Sequence, residues 1–173
     1  MPRAIAAKLT STPGRLARVI DLLGGPRVLK HTIASPIDAH EMLVFGLPGP
    51  ALTRLIVRLG DVGKTKSFEK AIGISQRTVQ RRRDAPEWRL TPEQSGRAWK
   101  FAEVFARASE VLGSEEDAKR WLEARAMALD QRRPIDLEQV HRGGIGEQLL
   151  DVTSRENGSS GEIVVEAQGA RVH

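Results

Sequence analysis

Cysteine is absent from the 173 residues, so disulfides and thiolate metal sites are excluded, as suits a reducing cytosol. Four histidines, His31, His40, His141 and His173, are scattered without ligand spacing, and neither a metal nor a cofactor is expected. No apolar run approaches the roughly 20 residues needed to cross a bilayer. The N-terminus lacks a signal-peptide core, so a cytoplasmic chain without membrane attachment is expected. Catalytic constellations are missing as well. No histidine stands beside a plausible nucleophile, no glycine-rich phosphate loop follows a strand, and no carboxylate pair is legible in an apolar setting. The chain is therefore not expected to be an enzyme.

What is present is charge, unevenly spread. The net +5 conceals two halves of opposite sign. Residues 1–108 hold 19 basic and 9 acidic side chains, net +10, and residues 109–173 hold 8 and 13, net −5. A basic front half suits a polyanion, and an acidic rear suits a different partner. The front half's charge concentrates in residues 64–83, KTKSFEKAIGISQRTVQRRR, with seven Lys/Arg against Glu69, net +6.

That stretch reads as two short helices joined by a tight turn. Phe68, Ile72, Ile74 and Val79 are apolar where such a pair packs on itself. Gly73 stands at the turn, where a left-handed backbone is useful, and Ser75 is a natural N-cap for the second helix. Gln76, Arg77, Thr78, Gln80, Arg81, Arg82 and Arg83 are left for solvent, and side chains of these types hold phosphates and read base edges. A DNA-reading helix-turn-helix is one reading; a solvated basic face is the plain alternative.

Helical spacing fills most of the remaining chain. Residues 1–12 have little pattern and read as a loose tail. Leu16, Val19, Ile20 and Leu23 recur at helical spacing before Gly24-Gly25. Ser35-Pro36 opens a helix that ends near Gly46, and residues 51–59 form another, closed by Gly60. The longest helix is expected over 92–112, with Thr91 and Gln94 as a capping box. Its apolar face, Ala98, Phe101, Ala102, Phe105, Ala108 and Leu112, spans about 30 Å. Core packing explains such a face, although a helix this long often joins two parts or two subunits. A further helix should run from Glu115 to about Ala126, with Glu115, Glu116 and Asp117 in its first turn and Trp121 and Leu122 facing a core. Weaker segments cover 134–140 and 145–152, and residues 154–173 read as a tail. The expected class is all-α: a helix-turn-helix and dimerisation region over 13–112, then a small helical unit over 113–153.

Six short motifs, in order, carry a resemblance. They are Leu22-Leu23-Gly24-Gly25, Phe45-Gly46-Leu47-Pro48, residues 73–82 (GISQRTVQRR), residues 90–97 (LTPEQSGR), Ala118-Lys119-Arg120-Trp121-Leu122 and Arg133-Pro134-Ile135-Asp136-Leu137. Over residues 17–153 this series resembles the Xre/MbcA/ParS antitoxin family. Glu69 stands where members tend to carry a small residue, and Ser95-Gly96-Arg97 replaces their Ser-Asp-Arg.

The resemblance implies the antitoxin of a type II toxin–antitoxin pair whose partner is a RES-domain toxin that depletes NAD⁺. It implies a homodimer that binds its own promoter DNA through the head, holds the toxin through the C-terminal part, and forms a larger hetero-oligomer with it. The long helix is then a natural dimer interface. On the basic stretch, Arg77, Gln80 and Arg81 are the expected base readers. Lys66, Ser75, Thr78 and Arg83 are expected on phosphates, with Gln76 and Arg82 beside them. Toxin contact is expected between Trp121 and Asp151, with Arg132, Arg133, Arg142 and Glu147 as candidates, each also readable as ordinary surface. The alternative is a dimeric helix-turn-helix regulator without a toxin partner.

Overall fold

Helices begin and end largely where the sequence places its caps and glycines. A computed structural model describes residues 13–85, 87–124 and 133–136. Among the described residues eight α-helices follow one another: α1 (Pro13–Leu22), α2 (Gly25–Leu29), α3 (Pro36–Phe45), α4 (Gly49–Leu59), α5 (Lys66–Ile72), α6 (Gln76–Arg82), α7 (Pro92–Leu112) and α8 (Glu115–Glu123). Short 3-10 turns occupy Val62–Lys64 and Pro134–Asp136. Among the described residues there is no strand, only one isolated bridge between Pro48 and Arg89, so the expected all-α class holds. No helix among them is long and apolar enough to cross a membrane.

The caps show why these bounds arise. Ser35 accepts the Asp38 N–H while Asp38 accepts the Ser35 N–H, a reciprocal capping box that starts α3. Thr91 and Gln94 do the same for α7. Three bounds differ from expectation. Gly24-Gly25 ends α1 and at once begins α2, which the sequence did not announce; Gly24 turns the chain left-handed, and Pro26 is tolerated in the first turn. Helix α4 starts at Gly49 rather than Ala51, because Pro50 fits a first turn and the Gly49 N–H is satisfied by the Trp88 carbonyl at 2.8 Å. Helix α8 stops at Glu123, where Ala124 turns extended.

Helix α7 is the pillar of the fold. Small Ala98, Ala102 and Ala108 alternate with Trp99, Phe101 and Phe105, so neighbouring helices approach closely between large side chains. It packs against α1, α3, α5 and α8. Its buried hydroxyls are satisfied: Ser95 donates to the Thr91 carbonyl at 2.7 Å and accepts the Leu47 N–H at 2.8 Å, and Ser109 donates to the Phe105 carbonyl. Most of its apolar side chains are thus covered within the chain, with Val111 and Leu112 half-buried. Among the described residues the large exposed apolar side chains are Ile37, Val44 and Phe45 on α3 and Val57 on α4.

One buried cluster runs from Val19 through Phe68 and Phe105 to Leu122 and Ile135. It crosses the division expected between residues 112 and 113. An ion-pair junction reinforces the crossing. Arg58 on α4 donates to both oxygens of Glu115 at 2.9–3.1 Å and to Asp21 on α1 at 3.2 Å. The Arg58 hydrogen bond holds the Glu115 carboxyl below the ordinary 4.5, against the opposing effect of partial burial. A depressed carboxyl stabilises the fold at neutral pH, and that contribution is lost as pH falls through the folded-state value. We expect Glu115→Gln to lower stability at pH 7 by about 0.5–1 kcal/mol, because both partners stay partly solvated. The deficit should shrink at an acid pH well below the ordinary 4.5, as wild type loses the same contribution through the lowered folded-state value. Urea denaturation at the two pH values checks it, and an equal deficit at both would reject the assignment.

Candidate nucleic-acid interface

The basic stretch folds as two short capped helices. Thr65 caps α5 by accepting the Phe68 N–H, and Ser75 caps α6 by accepting the Thr78 N–H, both at 3.2 Å. Between them Gly73 adopts φ 79°, ψ 31°, a left-handed conformation that glycine takes without penalty. Phe68, Ala71, Ile72 and Val79 are buried, and Ile74 is half-buried. The Phe68 ring meets Phe101 of α7 edge-on at 5.0 Å, which fixes the pair of helices to the pillar.

Two side chains lock the turn in ways that spacing does not reveal. The Glu69 carboxylate accepts the Gln76 N–H at 2.8 Å and the Lys66 ammonium at 2.7 Å. The Lys66 bond, then the Gln76 amide, hold its carboxyl below the usual glutamate range. So the acid standing where a small residue was expected ties the start of α6 to α5. From the other side, the Gln94 amide donates to the Gly73 carbonyl at 2.9 Å while its oxygen completes the α7 capping box. The sequence signalled only that box. We expect Glu69→Ala to lower stability by about 1–2 kcal/mol, the usual effect of orphaning a helix-terminal N–H. Denaturant midpoints at neutral pH measure it; a loss below about 0.3 kcal/mol would make the lock incidental.

The candidate residues fall into two groups. Arg77, Gln80, Arg81, Arg82 and Arg83 are exposed, as is Ser75. Arg77 and Arg81 share one side of α6 at i,i+4, with Gln80 beside them. Among the described residues no acidic group forms an ion pair with Arg77, Arg81, Arg82 or Arg83. The other group does structural duty. Gln76, expected in solvent, is half-buried, and its amide donates to the Gly63 carbonyl at 2.7 Å. Lys66 is well exposed yet paired with Glu69, and the half-buried Thr78 shares its hydroxyl with Ser75 at 2.9 Å. Gln76, Gln80 and Arg83 line one wall of a cleft of about 370 Å³; Thr53, Ile56 and Val57 of α4 form another part of it.

The toxin-contact candidates are only partly visible. Trp121 is half-buried on α8, packed against the core. Arg133 donates to Asp136 at 2.7 Å and to the Ser67 hydroxyl of α5 at 2.9 Å, so it is anchored rather than loose. Arg132, Arg142 and Glu147 lie outside the described residues. Among the described residues no group of His, Asp and Glu could hold a metal ion. The geometry offers an exposed cationic row on a rigidly capped helix, which can form charge-assisted hydrogen bonds to phosphates and purine edges. No protein-family model matches the chain, and no curated protein matches it.

Proposed function

We propose that this chain is a DNA-binding antitoxin of a type II toxin–antitoxin pair, acting in the cytoplasm and without catalytic activity. Helices α5 and α6 are its helix-turn-helix, and they bind promoter DNA to repress its own operon. The C-terminal part neutralises a RES-domain, NAD⁺-depleting toxin. One observation carries the DNA half of the reading: Arg77, Gln80 and Arg81 stand exposed on a helix whose start is fixed by Ser75, Glu69 and Gln76. A pre-ordered helix meets a duplex with little further ordering penalty. The toxin half rests on the resemblance of the six ordered motifs and on the acidic rear of the chain.

Fluorescence anisotropy with the duplex upstream of the gene tests the DNA half. Binding should be tighter than on the order of 100 nM at moderate salt, and log K should fall linearly with log salt. Equal affinity for scrambled duplex would reject specific reading. Co-expression with the adjacent gene tests the toxin half, through rescue of growth and co-purification. One feature favours a dimeric regulator without a toxin: α8 and Pro134–Asp136 pack into the same core as α5, so the rear can be a structural support for the head. Operator binding without growth rescue would select that reading.

A further inference from the structure

The cleft between α4 and α6 combines an apolar floor with two cations. Ile56 and Val57 of α4 and Val79 of α6 line it together with Lys64 and Arg83, and no carboxylate does. Val57 is 71% exposed, which leaves the floor partly open to water. The cations stand at opposite ends of the α6 wall. The Gln76 amide at the start of α6 donates to the Gly63 carbonyl, and Lys64 follows directly. Arg83 lies seven residues further on than Gln76, about 10 Å along the helix axis. Arg83 forms no ion pair among the described residues. Lys64 meets Asp61 at 3.1 Å, an exposed pair that leaves two ammonium N–H donors.

We propose that Glu162-Ile163-Val164-Val165-Glu166 of the same chain, a segment outside the described residues, docks extended in this cleft and masks Gln80 and Arg83 from DNA. The choice of occupant comes from complementarity and from the tether. Three β-branched residues in a row favour extended backbone. In that conformation Glu162, Val164 and Glu166 share one side, with the two acids about 13 Å apart. That separation matches the two cations once their long side chains flex, and it sets Val164 over the apolar floor between them. Glu147, Leu149 and Asp151 repeat the spacing, but their stretch reads as helix, which brings the two acids to about 6 Å. The tether begins in the right place. Asp136 accepts the Ser67 hydroxyl of α5, three residues from Lys64. From there to Glu162 is 26 residues, enough to span up to about 90 Å and so to reach the whole cleft.

Gln80 and Arg83 belong both to the cleft and to the exposed row of α6, so a docked segment and a duplex compete for them. The masking rests on the DNA reading proposed above; the docking does not. Because the segment is tethered, its effective concentration is high and weak contacts suffice. Occupancy of about two-thirds to nine-tenths would lower the apparent affinity for DNA about threefold to tenfold.

The chain has no cysteine, so Ala167→Cys gives a single site for a nitroxide beside the segment. In methyl NMR spectra of the full chain the label should broaden Ile56, Val57 and Val79, and Val164→Asn should relieve the broadening. In anisotropy titrations with the upstream duplex, Val164→Asn, which leaves net charge unchanged, should tighten binding about threefold to tenfold. Val57→Asn should release the segment from the cleft side, with an unchanged melting curve because Val57 is exposed. Cleft methyls left sharp by the label would overturn the docking. Broadening that recurs when labelled chains are mixed with unlabelled, isotope-enriched ones would give the cleft to another copy's tail and overturn the contact within one chain. Docking with unchanged affinity in Val164→Asn would overturn the masking. A wild type that binds no duplex would sink the DNA reading and the masking together, and the nitroxide spectra would still judge the docking by themselves.

Discussion

Arg81→Ala should weaken binding to the upstream duplex by between about thirtyfold and about twenty-thousandfold, and should flatten the difference between operator and mismatched sites. A bidentate arginine on a purine contributes about 1–3 kcal/mol of discrimination. A dimer presents it twice, so the combined effect is about 2–6 kcal/mol. Arg83→Ala is the control. It sits at the end of α6 beside the cleft, and as a phosphate-holding residue it should weaken all duplexes alike. Its substitution should also reduce the salt slope by about one for each phosphate that is no longer neutralised. Neither arginine forms an ion pair among the described residues, so stability should change by less than about 0.5 kcal/mol in both variants. If Arg81→Ala weakens operator and scrambled duplex equally, Arg81 grips phosphate, and the base reading falls to Arg77 and Gln80.

The contrast between Arg81 and Gln76 shows how far the sequence carried. Both are polar residues on one short helix, and spacing alone sent both to solvent. Arg81 is there, whereas Gln76 turns back to the Gly63 carbonyl, a partner 13 residues away that no periodicity points to. Local signals were legible because they act within one turn. The Ser35, Thr91 and Ser75 caps and the turn at Gly73 each fix a boundary through atoms three or four residues apart. Long-range hydrogen bonds were not. Gln94 reaching Gly73, Ser95 receiving the Leu47 N–H and Arg133 reaching Ser67 depend on how helices cross. The same limit explains α7. Its stripe announced a buried face but not what would cover it, and four helices of the same chain do so. The apolar stripe of α3 is the reverse case: its exposed side emerges only once the opposite side is seen to fill the core.

Gly49→Ala should lower stability by about 3 kcal/mol or more, at the upper end of overpacking effects. Gly49 opens α4 against the indole of Trp88, and a Cβ built there falls 2.6 Å from Trp88 Cδ2 and closer still to Cε3. Neither side can retreat easily. The Gly49 N–H is bonded to the Trp88 carbonyl, Leu90 is bonded back to Leu47, and Trp88 is only 7% exposed. For a chain of this length, about 3 kcal/mol corresponds to a fall in Tm of about 6–12 °C. The cause can be isolated by a double-mutant cycle, because Gly49 carries no positive φ and its backbone accepts alanine without strain. Trp88→Ala alone should lower stability by about 3–5 kcal/mol, as the large buried ring is removed. In that background Gly49→Ala should become neutral or stabilising by up to about 1 kcal/mol, since alanine restricts the unfolded chain and the ring is gone. The same substitution would thus change sign with its neighbour. An equal destabilisation in both backgrounds would mean that Gly49 is needed for its own backbone and that the indole is a bystander.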